Sequence, residues 1–582
     1  MLEQRNDYVA KSVRFLCSLC GPFLSLLTFS SLAQQPPPRA GEVLRDIQDK
    51  PQAVTPGPAP RIDVAPEKRR AIKPVPGLKI DVKGFRFSDA TGVSEDRLRD
   101  VVQKFTGSGR TFEDLQEAAD AVAEYLQTQG YFVAQAFLPE QKIEEGIVEI
   151  AVLLGRLAEV KVEIDPDVPV FRGIIDATLS HLPPGTVLRA ETVERALFLL
   201  SDLRGMAVRS IVEPGPTPGT ANLIVKVSAR KRVDGTVEFD KQGSRFTGDY
   251  RAGASMDVNS PFKRGDLLSA RGLMALPGGS RELQFGRISY MSPVGSYGTR
   301  LGIAYSALNY HLGTDQFEAL DQGGRADVVS LFALHPVIRA RNLNVFAHAA
   351  LDFRDFKDEF RAVGLQVDKR TTAAAFGAVG DSRDAYLGGG INNFSLTLNT
   401  GKLDIENADA LAADQLARGP HTQGDYTRLN GTFVRLNSLA KSTILYASYS
   451  FQLASKNLDA SEKIALGGPF AVRAYPVGEA SSDEAHLFTL ELRYGLPRME
   501  KVPGDVVLAT FFDAAHGRIN RNALPLPFDN TRDLRGAGFG VTWGKQDDFN
   551  IRGTLAWRLT DAPTGDRSDR RPRLYFQLVK YL

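Results

Sequence analysis

Cysteine is almost missing: the 582 residues hold two, Cys17 and Cys20. Both lie in the N-terminal stretch "VRFLCSLCGPFLSLLTFSSLA", where Lys11 and Arg14 precede an apolar run from Phe15 to Phe29. Ser31 and Ala33 supply small residues where a signal peptidase reads, so residues 1–33 are expected to be a cleaved secretory signal. The run is shorter than the ~20 residues a membrane-spanning helix needs, and its cysteines lack the Leu-x-Gly/Ala-Cys setting of a lipid anchor. With the signal removed, the chain is left without thiols. That excludes disulfides, thiolate metal sites and a cysteine nucleophile.

Other absences narrow the function. The seven histidines are scattered without metal-ligand spacing, so no metal site and no cofactor are expected. No Gly-x-x-x-x-Gly-Lys-Ser/Thr segment cradles a nucleotide phosphate, and no Gly-x-Ser-x-Gly elbow carries a nucleophile. The formal charge of +2 gives no footprint for nucleic acid or for a polyacidic partner. The reading is therefore of a chain without catalytic residues.

What is present changes character along the chain, which is too long for one ordinary core. In segment 34–50, Val43, Leu44 and Ile47 fall at helical spacing. Glu42 stands near the start and Lys50 at the end, suiting the helix dipole. Segment 51–76 is proline-rich and is expected to be a stiff linker without helix or sheet. Segment 77–155 is mixed. "LKIDVKGFRF" alternates as a strand, and "TFEDLQEAADAVAEYLQTQGY" is a helix with a Thr111/Asp114 capping box and a stripe of Leu115, Ala118, Val122 and Tyr125. Segment 156–231 repeats the β-α-α-β-β order, which points to tandem small modules.

Segment 232–582 loses nearly all helical signal and becomes alternating strands broken by Gly, Asp, Asn and Pro. In "HLFTLELRYGLP", Phe488, Leu490, Leu492 and Tyr494 share one face, while Thr489, Glu491 and Arg493 share the other. Leu574, Phe576, Leu578 and Leu582 share a face in the last strand. Alternation sustained over this length, behind a signal, predicts a transmembrane antiparallel β-barrel. Closing the sheet removes edges that lipid could not satisfy. At roughly 22 residues per strand and loop, about 16 strands are expected.

Signal, tethered helix, two modules and barrel together resemble the two-partner secretion transporters, the TpsB (ShlB/FhaC/HecB-like) family of the Omp85 superfamily. The barrel motifs that carry the likeness begin with "FDKQGSRFTGDYRAG", with Asp240, Gly243, Thr247, Gly248 and Arg251, followed by "NSPFKRGD" and "YMSPVGSYGTRL". The most specific are "LGGPFAVRAYPVGE", holding Val472, Arg473, Ala474 and Tyr475, and "ATFFDAAHG", holding Phe511 and Asp513. The resemblance implies that the first folds into the lumen and that Arg473 pairs with Asp513 on the inner wall. Glu491, on the predicted lumen face, is the rival partner. Ala474 stands where many relatives have glycine, which leaves the turn geometry open. His516 is expected in a loop.

The same resemblance implies two periplasmic POTRA-like modules, a plug helix formed by Glu42, Val43, Leu44 and Ile47, and an outer-membrane barrel embedded in lipid. It implies export of a large secreted partner protein, unfolded and without ATP, captured as an extended segment by strand addition. In the second module Val193, Leu197 and Leu200 are the candidate client-binding surface, with burial in the module's own core as the alternative. A barrel-assembly insertase of the same superfamily is the alternative, disfavoured by the short array of modules and the plug; a porin would need no modules. Adhesin, haemolysin, contact toxin and haem-scavenging clients are all compatible.

Overall fold

Thr111 opens the longest helix of the N-terminal half as its sequence requires. Its hydroxyl accepts from the Asp114 N–H at 3.2 Å, and the Asp114 carboxylate accepts the Thr111 N–H at 2.8 Å. This is a computed structural model, and it describes residues 38–47, 62–64, 79–88, 92–277, 281–314, 318–525, 529–563 and 571–582. The expected signal and Lys50 lie outside the described residues. So does most of the expected linker.

Helix α1 (Ala40–Ile47) comes first, followed by the short strand β1 (Ile62–Val64). The first module contains β2 (Ile80–Val82), β3 (Gly84–Ser88), α2 (Glu95–Val102), β4 (Gly107–Arg110), α3 (Phe112–Thr128), β5 (Gln135–Phe137) and β6 (Ile147–Leu153). β3 runs parallel to β6, and β5 antiparallel on its other side. α3 covers this sheet with Leu115, Ala118, Ala119, Val122 and Leu126 fully buried, while Tyr125 packs at the margin. The stripe is thus wider than the period alone suggested, with Ala119, Ala123 and Leu126 buried in addition.

The second module follows the β-α-α-β-β order without the extra β2–β4 pair of the first: β7 (Arg156–Ile164), α4 (Arg172–Leu179), α5 (Ala190–Ser201), β8 (Met206–Pro214) and β9 (Thr220–Ala229). Its sheet runs β1-β8-β9-β7. β1 belongs to the segment read as an unstructured linker. Between the prolines, Ile62, Asp63 and Val64 instead pair in parallel with Ser210, Ile211 and Val212. Two β-branched residues around Asp63 suffice when a ready edge is waiting, which local composition cannot reveal.

From Val233 the chain forms a closed barrel of sixteen strands, β10 (Val233–Asp240) to β25 (Arg573–Tyr581), all antiparallel neighbours. The seam pairs β10 with β25 from Thr236↔Tyr581 to Asp240↔Gln577. Phe488, Leu490, Leu492 and Tyr494 face outward and are exposed, as are Leu574 and Leu555. That is the pattern of a wall meeting lipid. An α-helix, α6 (Ala408–Gln415), lies in a loop between strands, an element the alternation did not announce.

The second module is docked against the turns at the barrel's near end. Arg339 forks onto Asp202 at 2.7 and 3.0 Å and lies over the Phe198 ring. Arg341 pairs with Glu194 at 2.6 Å, and the Phe171 N–H donates to the Lys263 carbonyl. For α5 this decides for the core alternative and against the client-binding surface. Val193, Leu197 and Leu200 are fully buried in the module's own core, and Glu194, Phe198 and Leu199 are buried as well. A helix packed on both sides offers no apolar face to a client.

Candidate functional site

The loop between β20 (Thr443–Ala454) and β21 (Glu484–Gly495) turns back into the barrel instead of spreading over its mouth. Its fold is set by backbone bonds across the two limbs: the Leu466 and Gly467 N–H groups donate to Glu479 O, and Val472 N–H donates to Leu466 O. Gly468, at φ +127°, and Gly478, at φ +80°, take backbone angles closed to most side chains. At the turn, Val472, Ala474 and Tyr475 are buried against Phe511, Ala515, Leu534 and Ala556 of the wall.

Arg473 projects from this turn onto β21 and β22 (Asp505–Arg518). Its Nε and Nη2 each donate to Asp513 at 2.9 Å, its backbone N–H adds a third bond at 3.1 Å, and Nη1 donates to Glu491 at 2.7 Å. The guanidinium lies 3.3 Å over the Phe511 ring, so the wall residue two before Asp513 supplies the stacking face. Thr489 donates to Asp513 at 3.0 Å and Arg493 to Glu491 at 2.8 Å. All three charged groups are nearly sealed, with Arg473 at 5 %, Asp513 at 0 % and Glu491 at 4 % exposure.

Asp513 and Glu491 were alternatives in the sequence; the geometry brings both to Arg473. Ala474 takes no positive φ, and its place is made by Gly536, where a Cβ would stand 2.6 Å from the Ala474 Cβ. Tyr475 anchors the turn further: its hydroxyl donates to Asp561 O at 2.8 Å, and its carbonyl accepts from Tyr575 at 2.7 Å. His516 is on strand β22, not in a loop, with Asp533 at 3.0 Å.

Helix α1 is inside the same barrel. Val43, Leu44 and Ile47 pack on an apolar patch of the inner wall: Leu273, Leu283, Phe285, Leu308, Tyr310 and Phe356. Wall residue Asp358 accepts the Ala40 N–H at 2.7 Å, an acidic cap at the positive end of the helix dipole, and Tyr310 donates to the same oxygen. Glu42 stands in the first turn, where a carboxylate suits the dipole, and it also reaches the loop. It accepts from Ser481 at 3.2 Å, while Arg45 reaches the loop carbonyls of Ala460 and Lys463 at 3.0 and 3.2 Å. The apolar wall patch and Asp358 went unread because inward-facing Leu and Phe look like ordinary strand residues until a helix lies on them.

Comparison with known proteins agrees with this architecture. The family profile "Haemolysin secretion/activation protein ShlB/FhaC/HecB" matches residues 219–543, and "POTRA domain, ShlB-type" matches 80–155. The heme/hemopexin transporter protein HuxB of Haemophilus influenzae is 28 % identical over 478 residues, covering 80 % of each chain. Among solved structures, CdiB from Escherichia coli superposes with a TM-score of 0.67 at 18 % identity, over 100 % of this chain and 97 % of that one. BamA from Haemophilus ducreyi, lacking POTRA domains 1–3, gives 0.51 at 13 % identity, over 87 % and 100 %. These two likenesses speak to the fold. With more than half its length matched by the haemolysin secretion/activation profile, the chain belongs to that family: it is an outer-membrane two-partner secretion transporter that exports a partner exoprotein, with its barrel in the outer membrane and its POTRA modules in the periplasm.

Proposed function

We propose that this transporter is a gated conduit in which α1 is a displaceable plug and the 455–483 loop, held by Arg473, shapes the path of the client. The observation that carries the reading is α1 itself, a helix occupying the lumen on its own apolar seat while joined to the periplasmic part by chain running through β1. A polypeptide cannot pass while it is there. The client would be taken up as an extended segment along the outer strands of the module sheets, β3, β5 or β7, where backbone bonds give affinity without demanding sequence. Burial of Val193, Leu197 and Leu200 moves the expected contact from helix to strand edge. The work is binding, gating and passage, without bond chemistry, nucleotide, cofactor or nucleic acid. Lipid meets the outward apolar band of the barrel. The likeness to HuxB favours a client concerned with haem or hemopexin over the other exoprotein classes.

The test is twofold. Depleting the protein is expected to remove one large species from the secreted proteome and leave other barrel proteins at normal levels. Broad loss of barrel proteins would instead support assembly. Tethering α1 to the wall by a cysteine pair at Ala40 and Asp358 is expected to stop export under oxidising conditions and restore it on reduction; export by the tethered protein would overturn the plug.

A further inference from the structure

The loop carries more buried charge than Arg473. On its ascending limb, Asp459 pairs with Lys369 of β17 (Leu365–Asp384). Glu462 is held between Arg354 of β16 (Leu343–Phe360) and Arg428 of β19 (Gly424–Ala440), with Arg428 Nε at 2.8 Å. Arg354 also reaches Asp352 at 2.6 Å, Gln452 donates to the Glu462 carbonyl at 3.0 Å, and the Ser461 N–H donates to Asp459 at 3.1 Å. Glu462 is 2 % exposed and Asp459 9 %. These wall strands form a sector separate from β21 and β22, where the tip is held.

The helix rests on the segment that carries these carboxylates, from Ala460 to Lys463. Arg45 takes the carbonyls of Ala460 and Lys463. Gly41 lies so close to Ser461 that a Cβ on it would come within 2.5 Å of the Ser461 Cβ. Ser481 on the returning limb completes the contact through Arg45 and Glu42. These polar contacts tie α1 to the two limb roots, while those of Arg473 run to the wall. Carbonyls can receive a guanidinium only if their peptide is held in one orientation, and paired buried carboxylates serve this purpose: they add little net stability but penalise every other arrangement heavily.

We propose that Asp459 and Glu462 form a second anchor of the loop, independent of Arg473, and that this anchor is the seat that keeps α1 in the lumen at rest. The inference rests on the plug reading and adds positioning residues to it. It divides the loop into a tip that meets the wall and a root that meets the plug. Exit of α1 then uncovers the root and leaves the tip in place.

Two reporters separate these parts in the full-length protein. Val43→Cys is shielded from a bulky water-soluble maleimide while α1 is docked, and Ala474→Cys is shielded while the tip is seated. In purified protein with a folded, heat-modifiable barrel, Glu462→Gln is expected to speed labelling of Val43→Cys about tenfold and leave Ala474→Cys protected. Arg473→Ala is expected to do the reverse. If Glu462→Gln fails to insert, Asp459→Asn, which removes the other carboxylate, makes the same measurement. Protection of Val43→Cys unchanged by the loss of either carboxylate would overturn the proposal, and so would both reporters opening together in either variant. Export by the tethered protein would sink the plug without touching this labelling result.

Discussion

Arg473 divides its donors between two carboxylates. A guanidinium has five N–H groups; a forked bond to Asp513 takes two, and the free Nη1 meets Glu491. Both acidic residues were legible, one from its motif and one from its lumen parity, but their joint use depends on strand register, which sets Thr489 opposite Asp513 and Glu491 opposite Phe511. Arg473→Lys is therefore expected to behave far more like Arg473→Ala than charge conservation suggests. It loses the fork and most of the stacking on Phe511. Arg473→Ala, like Asp513→Ala, should weaken seating of the tip by about 3–5 kcal/mol, because a buried charge is left without its partner. Limited proteolysis of the loop in an inserted barrel, alongside export, checks this; loop protection and export equal to wild type would refute it. Gly536→Val is expected to unseat the tip from the other side, since its first added carbon already meets Ala474. Restoration by Ala474→Gly in the same chain would show that the collision is the cause.

Among the elements, α3 was readable to its cap because helix ends are set by neighbours in sequence. Thr111→Ala is expected to cost about 1 kcal/mol, seen as faster hydrogen exchange along α3 in the intact protein. The Thr111 N–H bond, somewhat offset by desolvation, holds the Asp114 carboxyl below its usual range. The cap is accordingly at full strength above the unfolded carboxylate value of about 4 and fades as pH falls through the lower native value. Exchange along α3 should quicken in that acid window and not above it. α1 was equally legible as a helix, yet its seat was not: the patch is assembled from Leu273, Leu283, Phe285 and Leu308 on separate strands. Val43→Asp puts a charge into that patch and is expected to weaken docking by about 3 kcal/mol or more, read as a larger and steadier ion conductance in planar bilayers. Conductance unchanged from wild type would mean that α1 does not obstruct the pore. β1 and α5 show the opposite limits. A three-residue strand forms because β8 offers it an edge, and an amphipathic helix has no free face because the barrel covers the one its module leaves.

At the scale of the whole molecule, export through the lumen and insertion through the wall make different demands on the seam between β10 and β25. Facing residues Val237 and Lys580 replaced by a cysteine pair would lock it. Export is expected to continue in the oxidised protein; its abolition, reversed by reductant, would favour a lateral route. The division of labour between sequence and structure is plain here. The amino-acid sequence by itself determined the class of each segment: helix period in α1 and α3, mixed modules ahead of the barrel, and two-residue alternation that sorts lipid-facing from lumen-facing side chains. Those properties are local, set by backbone geometry and by the solvent each face meets. Only the tertiary structure decided which lumen residues meet. Closure of sixteen strands brings Arg354, Lys369 and Arg428 around one limb of the loop, and Asp513 with Glu491 around its tip. Contacts between charges more than a hundred residues apart, such as Arg354 and Glu462, follow from the barrel's curvature and register, and no local pattern encodes them.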